Sequence, residues 1–196
     1  MSETADRRES RGPAPEGRAE LLERLRVQEG ELERLMREDD LTRLFNRRFA
    51  RRLLIARLGG ATRHDTPVSV ARIDIDHFKL VNSIARDYRA GDEVLRRVAQ
   101  ILRGSAREDD VVGRWGGDEF VLVLPRTPRE EAAAACRRLL AAVSRENWDA
   151  IHPRIRVTLS AGVSDRADAD SADGLVAAAD ARLEQAKADG GNRVAS

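Results

Sequence analysis

Two apolar runs, Val111-Val112 and Phe120-Val121-Leu122-Val123-Leu124, are separated by Arg114-Trp115-Gly116-Gly117-Asp118-Glu119. That arrangement leaves the chain little choice but to double back as a β-hairpin, with Gly116 and Gly117 expected to supply the positive φ of a tight turn. Asp118 and Glu119 follow at the turn exit, beside backbone that carries no side chains. Bare backbone next to paired acids suits a metal-bound polyphosphate better than a solvated surface loop.

A second segment points to the same chemistry. Val68-Ser69-Val70-Ala71-Arg72-Ile73-Asp74-Ile75-Asp76-His77-Phe78-Lys79 reads as a buried, β-branched strand over Val68–Ile75 that ends in acids. Period-two alternation turns Asp74 away from Ile73 and Ile75. A carboxylate there, beside the hairpin, could complete the all-oxygen site that Mg²⁺ demands. Asp76 is expected to cap the following helix. Of 35 basic residues only Lys79 and Lys187 are lysines. Where arginine is the default, a lysine marks a place for a compact point charge, as on a phosphate.

The rest of the chain sets the frame. At 196 residues and 41% hydrophobic content it is one core-bearing domain plus an appendage. A formal charge of +1 marks no nucleic-acid or membrane surface. No apolar run reaches membrane-spanning length and no signal sequence is visible, so a cytoplasmic protein is expected. Cys136, the single cysteine, cannot form an internal disulfide and shares a helical face with Ala132, Leu139, Leu140 and Val143, as core filler would. His64, His77 and His152 are scattered, without the spacing of a triad or zinc site.

Residues 1–18, with Pro13, Pro15 and four arginines, read as a disordered tail. Residues 19–38 read as a helical stalk, because Leu21, Leu25, Gln28, Leu32 and Leu35 recur at spacings of four and three. Residues 39–196 form the domain proper. Helices are expected over about Arg47–Leu58, Phe78–Ala85, Asp92–Leu102, Arg129–Ser144 and Ser171–Ala188. Strands are expected at Val68–Ile75, in the hairpin Val111–Leu124, at Ile155–Val163 and near Val194, with Thr62–Thr66 and Ser164–Asp170 as loops. That order is an α+β sandwich of βαββαβ type with an antiparallel-containing sheet.

Together these segments resemble the GGDEF domain of bacterial diguanylate cyclases. The likeness runs from Asp39 to Val194, roughly four-fifths of the chain. Asp39-Asp40-Leu41-Thr42-Arg43-Leu44-Phe45-Asn46-Arg47-Arg48 is similar to the family's opening motif, Thr158–Val163 to its late strand, and Ala179-Asp180 through Asn192 to its closing helix and turn. The resemblance implies a nucleotidyl-cyclase-like, palm-like fold. It implies a homodimer that condenses two GTP into cyclic di-GMP with Mg²⁺, or Mn²⁺ in its place. By position, Asp74, the Ile75 carbonyl and Asp118 would hold the metal. Glu119 would assist, and Asp118 is the candidate general base. Lys79 and Lys187, with the bare Gly116 and Gly117, would receive the triphosphate. Asn82 and Asp92 would read guanine. Arg107-Glu108-Asp109-Asp110 matches the family's inhibitory RxxD site for cyclic di-GMP, with Arg138 as its secondary arginine.

Departures from the pattern define a competing expectation. Asn82 to Asp92 is one residue longer than the family's stretch and lacks an inner Gly-His, a turn that Asp87 could remake through left-handed φ. The closing Gly-Arg-Asn is Gly190-Gly191-Asn192 here, and Glu184 stands where tyrosine is usual. The alternative is therefore a catalytically silent GGDEF module that binds cyclic di-GMP at Arg107 and Asp110, or serves as a dimerising scaffold.

Overall fold

The structure, a computed structural model, describes residues 15–85 and 88–196. The chain divides into two units, one ending at Met36 and one running from Arg37 to Ser196. Helix α1, Pro15–Arg37, makes up the first. It takes in residues 15–18, which were expected in the polar tail, because proline is preorganised for a first helical turn. Residues 1–14 lie outside the described part. Leu21, Leu25, Leu32 and Leu35 stand exposed along α1. Among the described residues no helix is long and apolar enough to cross a membrane.

The second unit is built on a six-stranded sheet. Its strands are β1 (Phe45–Asn46), β2 (Val68–Ile75), β3 (Val111–Gly116), β4 (Glu119–Pro125), β5 (Leu159–Asp165) and β6 (Val194–Ala195). The strand order is β1-β3-β4-β2-β5-β6, with β2 antiparallel to both β4 and β5. All eight residues of β2 are buried, as in a strand covered on both faces. Ala71, Ile73 and Ile75 pack with one core, under α3 (Phe78–Ala85), α4 (Tyr88–Ser105) and α5 (Arg129–Arg145). Val68 and Val70 pack with the other, under α2 (Arg47–His64) and α6 (Ala172–Ala188). The α+β sandwich read from the element order is the fold found.

Several boundaries differ for physical reasons. Helix α2 continues through Gly59-Gly60 because Leu54, Leu58 and Ala61 keep one buried face. It stops only at Asp65, whose left-handed φ of 48° turns its N–H onto the Ala61 carbonyl. The expected loops therefore shrink, since Thr62 to His64 are helical and Ser164-Asp165 complete β5. Ile155 and Val157 are buried, yet the ladder starts only at Leu159. Strand β1 is two residues long, too short to show in a pattern. Cys136 is fully buried and burial pushes its thiol up to about 12, so it is inert core.

One contact fixes the helix that carries Lys187. A side chain at Gly162 on β5 would put its Cβ 2.1 Å from the Ala179 carbonyl and 2.2 Å from the Leu183 nitrogen. Only glycine lets α6 lie that close. Leu175, Ala179, Leu183 and Ala186 then bury against the sheet, each leucine contributing about 2 kcal/mol.

Candidate active site

The strand register brings the acids together. Asp74 on β2 pairs across the ladder with Glu119 on β4 and with Ser160 on β5. Asp118 sits in the turn between β3 and β4, and its carbonyl accepts from the Ile75 N–H (3.3 Å), tying the turn to the Asp74 strand. A groove of about 540 Å³ opens here, lined by Asp74, Ile75, Lys79, Asp118, Lys187 and the closing glycines 190 and 191, among others.

The hairpin forms as its flanking strands require, but not by the expected backbone. Neither Gly116 nor Gly117 takes a left-handed φ. A β-bulge between Arg114 and Gly116 and a clamp on the turn do that work instead. Arg114 forks onto the Gly117 carbonyl (Nε 3.0 Å, Nη2 2.7 Å), and its Nη1 meets the Asp39 carboxylate at 3.1 Å. Gly117 has open space where a Cβ would stand, which leaves its backbone accessible to a ligand.

Charge in the groove is unbalanced toward the acids. Burial, with the nearby Asp118 and Glu119 charges adding to it, pushes the Asp74 carboxyl up to about 6. The Lys187 ammonium, 3.1 Å from Asp74 Oδ2, works against that rise. Lys187 also reaches Glu184 at 3.4 Å, so the residue in place of the usual tyrosine touches the site's lysine. Lys79 stands exposed at the rim, with no charged partner among the described residues. Among those residues no three His, Cys, Asp or Glu side chains converge to hold an ion by themselves. The donors present, the Asp74 and Asp118 carboxylates and the Ile75 carbonyl, are hard oxygens that fit Mg²⁺ completed by phosphate oxygens and water.

Asp76 does not cap α3. Its carboxylate accepts from the hydroxyls of Thr158 (2.7 Å) and Ser160 (2.6 Å) and from the Asn192 N–H (2.9 Å). It thereby staples the closing turn to the head of β5. Gly190, Gly191 and Asn192 all take positive φ, and a Cβ on residue 191 would meet Asp76 Oδ1 at 3.0 Å. An arginine at 191 would be strained, which accounts for the glycine. The last strand starts at Val194, where it was expected, and the Arg193 guanidinium folds back to the Gly191 carbonyl (3.3 Å).

Asn82, on α3, and Asp92, on α4, do not line the groove. Asn82 Oδ1 accepts from the Gly91 N–H at 3.1 Å, and a Cβ on Gly91 would collide with it at 2.4 Å. Helix α4 begins at Tyr88, not Asp92. The Asp87 turn lies outside the described residues. Arg107, Asp110 and Arg138 line a separate cavity of about 410 Å³, which shares no lining residue with the groove. Asp110 is oriented by the Arg107 N–H (2.8 Å).

Two residues of the site were missed in the sequence. Arg72 is buried on β2, bonding Glu119 and Asp180, and Arg114 holds the turn. Arg72 had a visible signal, a charge inside an apolar strand and on the same alternating face as Asp74.

A buried strand acid, an acidic hairpin turn and a lysine from the last long helix thus share one groove of an α+β domain. The chain matches the profile of "Diguanylate cyclase, GGDEF domain" over residues 36–193, and it belongs to that family. Response regulator PleD of Caulobacter vibrioides is 39% identical over 159 residues, covering 80% of this chain and 35% of PleD. Diguanylate cyclase DosC of Escherichia coli is 36% identical over 157 residues, covering 80% of this chain and 34% of DosC. The chain thus spans about a third of the length of these relatives. The coiled coil and GGDEF domain of DgcB from Caulobacter crescentus, solved in complex with c-di-GMP, superposes with a TM-score of 0.81 at 29% identity, over 92% of this chain and 95% of that one.

Proposed function

We propose that the domain condenses two GTP into cyclic di-GMP, each copy of a homodimer presenting one nucleotide to the other. The observation that carries this reading is Asp74, buried opposite Glu119 beside Asp118, its carboxyl pushed up to about 6 in a groove that also holds Lys187. Such an excess of acid is relieved by a divalent cation that arrives with a triphosphate. Asp74, Asp118 and the Ile75 carbonyl would hold Mg²⁺, or Mn²⁺ in its place. Bound there, the metal would offset charge on the phosphoryl oxygens and lower the pKa of the attacking ribose hydroxyl.

The chain's own residues do the rest. Lys187 exchanges its bond to Asp74 for one to the triphosphate, and Lys79 binds the same phosphates from the rim. Asp118 accepts the proton of the ribose hydroxyl as that oxygen attacks the α-phosphorus of the other GTP and pyrophosphate leaves. Glu119 assists beside the metal, and the bare Gly116-Gly117 backbone admits the phosphates. Asn82 and Asp92 read guanine. Product returns to Arg107, Asp110 and Arg138 as an inhibitor, since arginine forks onto phosphate and guanine acceptors. The DgcB complex with c-di-GMP supports a family capacity for that ligand. Helix α1, with its exposed leucines, pairs with a second copy as the stalk.

The test is purified protein with GTP and Mg²⁺, followed for cyclic di-GMP. A second reading, a silent receptor for cyclic di-GMP, is favoured by a specific observation. Arg107, Asp110 and Arg138 share one cavity, whereas Asn82 and Asp92 stand off the nucleotide groove. Product binding without turnover would decide for it.

A further inference from the structure

Arg72 is the one basic residue of β2, and only 3% of it is exposed. It stands on the Asp74 face of the strand, where Val68 and Val70 pack with the α2–α6 core. Its Nη2 donates to Glu119 Oε2 at 2.9 Å and its Nε to Asp180 Oδ1 at 2.6 Å. Its Cζ lies 4.9 Å from the centre of the Trp115 ring. Its Nη1 is buried with no hydrogen-bond partner. A desolvated guanidinium with a donor left over is an expensive way to fill a core position that a leucine or methionine could occupy. A reason other than packing is called for.

The two carboxylates supply it. Glu119 opens β4 directly after Asp118. Asp180 lies on α6, two turns before Lys187, about 10 Å along the helix axis. Among the described residues no other side chain bonds both the hairpin and α6. Arg72 also separates two charges that the sheet forces together. Asp74 and Glu119 face each other across the ladder, an arrangement that repels. Lys187 engages Asp74 while Arg72 engages Glu119, so each acid has its own cation.

We infer that Arg72 is a positioning residue for the reaction: its buried fork sets the hairpin acids and Lys187 at one spacing, so that both close on the same triphosphate. This rests on the diguanylate cyclase reading. A lysine at 72 would keep the charge but could not fork to two carboxylates.

The test uses the full chain and two independent measurements. The first is a set of urea melts on Glu119→Gln, Asp180→Asn and the double variant, each with Arg72 and with Arg72→Met. Glu119 and Asp180 are each bonded to Arg72, so their effects on the urea midpoint fail to add when Arg72 is present and add when it is methionine. A residue that merely fills space would not produce that change. If the effects add in both backgrounds, the proposal is overturned, whether or not the protein turns over GTP. Should Arg72→Met not fold, Arg72→Lys serves in its place.

The second measurement is steady-state cyclic di-GMP formation. Arg72→Met and Arg72→Lys are each expected to lower kcat about 10–100-fold, with little change in KM for GTP. In the Glu119→Gln background, adding Arg72→Met lowers kcat by no more than about twofold further. Wild-type kcat in Arg72→Lys, or fully multiplying losses with Glu119→Gln, overturns the proposal. A wild type that makes no product sinks the diguanylate cyclase reading instead, and the melts alone then decide on Arg72.

Discussion

Replacing Gly162 with alanine adds a single methyl group, and the geometry around it fixes what must follow. The new Cβ would lie 2.1 Å from the Ala179 carbonyl, 2.2 Å from the Leu183 nitrogen and 2.8 Å from the Arg182 carbonyl carbon. All three are backbone atoms of α6, so no side-chain rotation relieves the clash. Ordinary contact begins at 3.4 Å, so the helix must lift by about 1.3 Å, the difference from 2.1 Å. A gap of only about 0.5–1 Å already forfeits a quarter to a half of the dispersion between the helix and the sheet, so this lift costs at least that much. Leu175, Ala179 and Leu183, at most 2% exposed, lose their packing. Overpacking of this kind costs about 3 kcal/mol, which for a domain of this length lowers Tm by about 10 °C.

The same shift reaches the site, because α6 carries Lys187 to within 3.1 Å of Asp74. Gly162→Ala is therefore expected to weaken GTP use about tenfold or more even at temperatures where it is folded, since a displacement near 1 Å is enough. Urea and thermal melts give the first quantity, and initial rates against GTP the second. Gly60→Ala is the control. Gly60 lies inside α2 with open space at its Cβ position, so alanine there should stabilise by about 0.5–1 kcal/mol. If Gly162→Ala melts within about 0.5 kcal/mol of wild type, the close packing of α6 is not what holds it.

Asp118→Ala and Asp74→Ala should each reduce cyclic di-GMP formation by about a hundredfold or more with the melting curve retained; wild-type turnover in either would remove that residue from the metal site. Arg107→Ala should lose affinity for cyclic di-GMP by calorimetry while keeping GTP turnover, and unchanged affinity would make RxxD an ordinary charged turn. Asp168 is held from 3.8 down to about 2, chiefly by its hydrogen bonds from Arg182, with Arg129 adding charge. Its folded pKa is depressed, so this stabilisation of about 2 kcal/mol is complete above the ordinary carboxylate range and disappears as pH falls from about 4 to about 2. Asp168→Asn should flatten that part of the acid-unfolding profile, and an unchanged profile would show the cluster to be neutral.

Elements whose cause is local were legible in the sequence. The hairpin and β2 announce themselves by apolar runs, and α5 and α6 by their periodicity, because a face that must be buried repeats with the geometry of its own element. The expected helix ends at Leu58, just before Gly59-Gly60, yet the buried Leu54, Leu58 and Ala61 carry α2 past them. At most about 2 kcal/mol of glycine propensity loses to three buried side chains. Gly116-Gly117 led to the right element through the wrong cause, since the turn is made by a bulge and the Arg114 clamp rather than by left-handed backbone.

The site divides along the same line. Asp74, Asp118 and Lys187 could be picked out because each stands beside a structural signal of its own, and the fold brings them to one groove. The distant partners of the groups that hold them there could not. Arg72 finds its partners 47 and 108 residues along the chain, and Asp76 finds Thr158 82 residues away. No pattern within a strand or helix encodes such pairs, because the sheet order β4-β2-β5 alone makes them neighbours. Asp76 read as a helix cap because helix starts favour aspartate. The hydroxyls of Thr158 and Ser160 and an N–H of the closing turn give it three donors where a cap would give one or two. Those three bonds outweigh the local preference. The central strand and the residue that follows it are thus the distribution point of the site: Arg72 reaches the hairpin and α6, Asp74 reaches Lys187, and Asp76, just past the strand, reaches the closing turn. These bonds therefore set the spacing of the hairpin, α6 and the closing turn around the groove.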